Sequence, residues 1–126
     1  MTWRITDRST FDVLRRSGRR ARFGSISVIF VEDGGDRIRV GYAVGRRLGG
    51  AVERNRLRRR MRAAVRTVEL QVDLNPGAYL VLPGKDTNHL GYEDLVETLK
   101  EAMRRAQAQR PPEFGAESDR DATQRA

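Results

Sequence analysis

The chain has 126 residues, with 25 basic against 17 acidic side chains for a formal net charge of +8, and no cysteine. That length fits one domain with a single modest core, and the missing cysteines exclude disulfides, a cysteine nucleophile and thiolate metal sites, zinc fingers included. No apolar run approaches the roughly 20 residues that span a bilayer, and the N-terminus lacks the apolar stretch of a secretory signal, so a soluble cytoplasmic protein without a membrane partner is expected.

In chain order, Asp7 to Ser17 reads as a first short helix. Asp7 or Ser9 can cap its start, Asp12 stands three residues after Ser9 as in a capping box, and Gly18 can stop it. Phe11 and Leu14 would share its buried side. Residues 25–31 alternate as a strand with Ile26, Val28 and Phe30 inward, and residues 38–44 alternate more cleanly still. Between them Glu32 to Asp36 is turn chemistry, so the two strands are expected to pair as an antiparallel hairpin. Gly49-Gly50 then opens a helix from about Ala51 to Leu70, with Leu57, Met61, Ala64, Val65 and Val68 on one stripe and Asn55, Arg58, Arg59, Arg62 and Arg66 opposite. Ala78 to Leu82, bounded by Asn75-Pro76-Gly77 and Pro83-Gly84, reads as a buried strand, and a strand after a helix after a strand suggests a βαβ unit. The last helix runs from Tyr92 to about Gln107, with Gly91 as N-cap and a Leu90/Leu95 hydrophobic staple. Residues 110–126 are too polar to repay their ordering entropy and are expected to form a disordered tail, which leaves 1–109 as a single domain.

The charge is concentrated. Arg46 to Arg66 holds nine Arg and one Glu, a net of +8 that equals the charge of the whole chain, while the remaining basic and acidic residues cancel. Coding bias can account for arginine outnumbering lysine, of which only Lys85 and Lys100 are present, but not for the clustering. Arg54 with Arg58, Arg58 with Arg62, and Arg62 with Arg66 are like-charge pairs at i,i+4, each costing a few tenths of a kcal/mol. A polyphosphate that neutralises the helix explains why such repulsion is retained, so nucleic acid is the expected partner.

No protein catalytic site is legible. The single histidine, His89, lies in a polar loop, and Glu32, Asp33 and Asp36 belong to a turn where acidic residues are conformationally favoured, so neither a catalytic residue nor a metal ligand is expected. No phosphate-loop motif is present. A structural or regulatory RNA-binding protein of the ribosome-associated type and, more weakly, a self-sufficient nuclease stand as alternatives to the reading that follows.

The run Gly41-Tyr42-Ala43-Val44-Gly45-Arg46-Arg47-Leu48-Gly49-Gly50-Ala51-Val52-Glu53-Arg54-Asn55-Arg56-Leu57-Arg58-Arg59 resembles the signature of the bacterial ribonuclease P protein subunit, an Arg-Asn-Arg helix entered through a basic turn. The Phe11 helix ending at Gly18, the strand at Tyr79 to Leu82 and the Tyr92-Glu93 helix opening are similar to that family in order and spacing, so the resemblance covers roughly Ile5 to Gln107. It implies an α/β (α+β) two-layer sandwich, ribosomal-protein-like, of about four strands and three helices, with a left-handed βαβ crossover that would break the usual right-handed rule. It implies an accessory subunit that binds ribonuclease P RNA and the 5′ leader of precursor tRNA and promotes endonucleolytic leader removal. The hydrolysis and its Mg²⁺ would belong to the RNA-containing holoenzyme, with no cofactor on the protein alone and no obligate protein partner. Carried over residue by residue, the RNA-subunit contacts fall on Arg46, Arg47, Arg54, Asn55, Arg56, Arg58, Arg59 and Arg62. The leader contacts fall on Phe11 and, where some members carry a second aromatic, on Arg15. Asn55 can equally contact RNA or cap a neighbouring backbone group, and Phe11 can equally stack on a base or fill the core. Gly45 and Gly50 stand where the family often has Ser and Asn, and Gly50 removes a side-chain cap.

Overall fold

The most apolar strand takes the centre of the sheet. In the computed structural model, which describes residues 2–109, the chain runs β1 (Thr2–Arg4), α1 (Arg8–Ser17), β2 (Arg19–Phe23), β3 (Ile26–Val31), β4 (Ile38–Tyr42), α2 (Ala51–Gln71), β5 (Gly77–Pro83) and α3 (Tyr92–Ala108), with 3-10 turns at Arg46–Leu48 and Lys85–His89. The sheet order is β1-β4-β5-β3-β2. β5 is buried on both faces, pairing antiparallel with β3 and parallel with β4.

This order corrects the expected hairpin. β3 and β4 do not pair, because β3 uses its two edges on β2 and β5, and the chain from Glu32 to Arg37 crosses the end of β5 to reach β4. The turn chemistry is present all the same: Gly34 has φ +79° and the Asp33 carboxylate accepts from the Gly35 amide. The expected βαβ unit is there, since β4 and β5 are parallel neighbours joined through α2. The sheet has five strands where the resemblance implied about four; the periodicity had marked three, and β1 and β2 escaped it. The expected tail, 110–126, lies outside the described residues.

The main layers are the sheet and the α2–α3 pair. Ile26, Val28 and Phe30 of β3, Val40 of β4 and Tyr79 and Val81 of β5 meet Leu57, Met61, Ala64, Val65 and Val68 of α2 and Leu95, Leu99 and Met103 of α3 in one buried cluster. On the other sheet face α1 lies across β3 and β5, burying Leu14 with Ile5, Ile29, Ala78 and Leu80, with Phe11, Val31 and Leu82 packed beside them. Both faces of β3 are therefore covered, where the sequence pattern had marked only one as inward.

α1 is capped by Asp7, whose carboxylate accepts from the Thr10 amide and from the hydroxyls of Ser9 and Thr10; Asp12 takes no part. Arg39 of β4 donates to Asp7, to the Thr10 hydroxyl and to Asp33, so one guanidinium ties the start of α1 to the β3–β4 connection. These partners help set the α1 position relative to the sheet.

Candidate nucleic-acid interface

Two adjoining surfaces carry the positive charge, and both are built around the chain entering α2. The 3-10 turn at Arg46–Leu48 ends at Gly49, which has φ +120°, a conformation open to glycine at little cost. A Cβ there would also come within 2.9 Å of the Glu53 Cβ. Gly50 is the N-cap residue and makes no side-chain cap, as its lack of a polar side chain requires.

α2 buries the apolar stripe read from the sequence, which fixes where the arginines point. At 100° per residue, Asn55, Arg58, Arg59, Arg62 and Arg66 turn away from that stripe, and Arg56 and Arg60 turn towards α3. Asn55 and Arg59 are exposed and Arg58 and Arg62 half-buried. Asn55 neither caps the backbone nor stands alone, because its amide oxygen accepts from Arg58 Nη1 at 3.1 Å, which orients that guanidinium on the helix surface. Arg54 Nε donates to the Gly50 carbonyl at 3.4 Å, folding back over the helix start. Arg60 serves the fold, donating to the carbonyls of Asn88 and Leu90 ahead of α3. The cations held in ion pairs among the described residues are Arg19, Arg39, Lys100, Arg104 and Arg105, none of them on α2.

The second surface is a groove of about 360 Å³ on the α1 face of the sheet. Ser27, Ala43 and Leu82 line it from three strands or their ends, and Arg20, Arg22, Arg47 and Lys85 stand round it without a carboxylate among the lining residues. A single strand fits such a groove, with phosphates on the basic rim and bases on the neutral floor. Phe11 flanks the groove and is not part of its lining. Its ring lies over Gly41, two residues before Ala43 on the same sheet face, and a Cβ on Gly41 would meet Phe11 Cε1 at 3.0 Å. Phe11 is half-buried against the small core beneath α1, so it has both an anchored edge and an accessible one. Arg15, one helical turn further on, is exposed.

The residues expected to form one RNA-subunit surface are thus divided. Arg46 and Arg47 are exposed on the turn, with Arg47 turned into the groove; Asn55, Arg58, Arg59 and Arg62 lie on α2 away from its stripe, Arg54 is half-buried in the first turn in line with the stripe, and Arg56 lies on the α3 side. Sequence reasoning missed Arg20, Arg22 and Lys85. The alternation Arg20-Ala21-Arg22 was a usable signal, because it places two arginines on one face of a strand whose other face buries Ala21.

No group of three or more His, Asp or Glu among the described residues could hold a metal ion. Glu32 pairs with Arg19 and Asp33 with Arg39. Hydrogen bonds from the Thr10 and Ser9 hydroxyls hold the Asp7 carboxyl well below the usual carboxylate range. Partial burial pushes Asp33 up, but the Gly35 amide and Arg39 outweigh it and leave Asp33 lowered. Burial pushes the Tyr42 phenol up to about 12 despite the nearby Arg62 and Arg66.

A family model described as Ribonuclease P matches residues 1–107. Among curated relatives, the ribonuclease P protein component of Gluconacetobacter diazotrophicus is 38% identical over 105 residues, covering 82% of this chain and 90% of the relative. That of an Exiguobacterium species is 32% identical over 104 residues, with 82% and 90% covered. Among solved structures, the RNase P protein from Staphylococcus aureus superposes with a TM-score of 0.73 at 19% identity, covering 83% of this chain and 95% of the other. That from Thermotoga maritima gives 0.72 at 24% identity, covering 81% and 96%. At those identities the two structures bear on the fold alone. No helix is long and apolar enough to cross a membrane among the described residues.

Proposed function

This chain belongs to the ribonuclease P protein family, whose members are components of a tRNA-processing ribonuclease, and from that premise we propose how its two basic surfaces divide the work. The arginine face of α2 binds the catalytic RNA. The groove on the α1 face of the sheet holds the single-stranded 5′ leader of precursor tRNA, with Arg20, Arg22, Arg47 and Lys85 following its phosphates and the accessible edge of Phe11 meeting a base beside the groove. Hydrolysis of the leader bond belongs to the RNA subunit with its Mg²⁺, and the protein raises the affinity and alignment of the substrate. The setting is the bacterial cytoplasm, where both RNAs are found.

The observation that carries this reading is the groove itself: four cations around a neutral floor, next to an arginine helix. A groove of that shape suits an unpaired strand better than a duplex, because an open strand can present its bases to the floor while its backbone stays on the rim. The test is binding of the holoenzyme to a precursor tRNA with and without its leader. Phe11→Ala is expected to weaken binding of the leader-bearing precursor by about tenfold, the scale of one lost base stack, and to leave the leaderless RNA almost unchanged. Equal losses on both RNAs would remove Phe11 from leader recognition.

A further inference from the structure

On the sheet face opposite the groove, a second cavity of about 420 Å³ opens between the β1–β4 edge and α2. The half-buried Tyr42 of β4 gives it an apolar wall, with Val40 and Val65 almost fully buried behind it, and Trp3, Arg4, Arg62, Arg66 and Glu69 complete the lining. Arg62 and Arg66 follow each other by one helical turn, on the same side of α2 as Arg58. The Arg62 guanidinium stands 6.0 Å from the centre of the Tyr42 ring, too far for a tight stack, and neither Arg62 nor Arg66 is among the cations held in ion pairs. Tyr42 is half-buried and no hydrogen bond of its hydroxyl is found among the described residues.

We propose that this cavity is a nucleotide-binding pocket that takes one unpaired nucleotide of an RNA partner, its base against the Tyr42 ring and its phosphate on Arg62 and Arg66. The argument is one of shape and charge. A phosphate alone needs cations but no apolar wall, and a duplex presents a continuous backbone that cannot enter a cavity of this size. A flipped or single-stranded nucleotide supplies both a flat apolar base and an anion. Arg4, on the edge strand, closes the cationic side opposite α2. The pocket deepens the RNA-binding reading of α2, since it would make the helix recognise an unpaired position as well as a phosphate track.

The test uses the whole chain, isotopically labelled, with the Val40 and Val65 methyl and Tyr42 ring resonances as reporters. Arg20→Glu with Arg22→Glu in the same molecule suppresses binding in the groove, so that reporters respond to the pocket alone. A short single-stranded oligoribonucleotide is expected to shift all three reporters saturably, whereas a duplex of the same sequence and inorganic pyrophosphate are not. Arg66→Gln should weaken the oligonucleotide by about tenfold, while Arg104→Gln, on α3, should not. Equal shifts with pyrophosphate would reduce the pocket to a simple anion site, and equal shifts with the duplex would show that no base enters; either result overturns the proposal. If protein-dependent cleavage by the holoenzyme is observed and the reporters stay silent, the pocket is refuted and the subunit reading stands.

Discussion

Replacing Arg58, Arg59 and Arg62 together by Gln separates what the arginine face does for RNA from what it does for the helix. The six guanidiniums expected on the RNA-subunit surface and lying outside the groove, Arg46, Arg54, Arg56, Arg58, Arg59 and Arg62, would set a salt slope of about −5 if each neutralised one phosphate of a duplex-like RNA. A fourfold rise in salt should then cost the wild type about 3 orders of magnitude in affinity, and the triple variant, with three contacts left, about 1.6. The free protein should respond in the other direction. The i,i+4 repulsions of Arg54 with Arg58, Arg58 with Arg62 and Arg62 with Arg66 all vanish, a relief of about 1 kcal/mol. Against that stand the exposed Arg58–Asn55 hydrogen bond and the loose Arg62–Tyr42 contact, together worth about half as much. The melting temperature of the free variant should therefore hold or rise by a few degrees. The assays are filter binding to ribonuclease P RNA across a salt series and thermal melting of the protein alone. An unchanged salt slope would refute the placement of this face in the interface, and a fall in melting temperature would refute the claim that its charge is borne at the expense of stability.

Gly41→Val forces a branched side chain into the space under Phe11, where a Cβ alone meets the ring at 3.0 Å. It should cost about 1–3 kcal/mol of stability, and in binding assays the displaced ring should lower affinity for leader-bearing precursor more than for leaderless RNA; a variant that binds both as well as wild type would show that the ring has no fixed seat. Lowering the pH should destabilise the fold only in the acid range. The folded-state values of Asp7 and Asp33 lie below the ordinary carboxylate value, so the unfolded chain binds more protons there, and their contribution is complete above roughly pH 4–5 and lost as the pH falls from there towards the folded-state values. Denaturant melts from pH 7 to 2 would show this, and a decline centred near neutrality would contradict it.

The elements that were legible in the sequence are those whose burial follows a single period. The α2 stripe from Leu57 to Val68 is buried residue for residue, and α3 buries Leu95, Val96, Leu99, Ala102, Met103 and Ala106 at the same helical spacing while Tyr92, which shares that spacing, is exposed at its start, because each helix sets one face on the sheet. β2 was hidden because Arg19, although buried, is an arginine: its stem packs inward, its guanidinium lies 4.8 Å from the centre of the Phe30 ring, and it pairs with Glu32. β1 is three residues long, too short for any alternation to register. The hairpin between β3 and β4 was misread because local turn chemistry fixes a reversal of direction and says nothing about which strand fills the gap. Only the doubly buried β5, from far along the chain, decides that. At the candidate site the arginine helix was readable as charge on a period. The groove was not, since Arg20, Arg22, Arg47 and Lys85 are scattered through the sequence and are brought together only by the sheet.

Reconstitution is the most direct test: the purified chain is mixed with a bacterial ribonuclease P RNA, and cleavage of a precursor tRNA is followed at low Mg²⁺ beside protein-alone and RNA-alone controls. The account predicts efficient release of the 5′ leader only when both are present. Cleavage by the protein alone would contradict it by revealing a protein active site, and tight RNA binding without any stimulation would contradict it by making the chain an RNA binder with no part in leader removal.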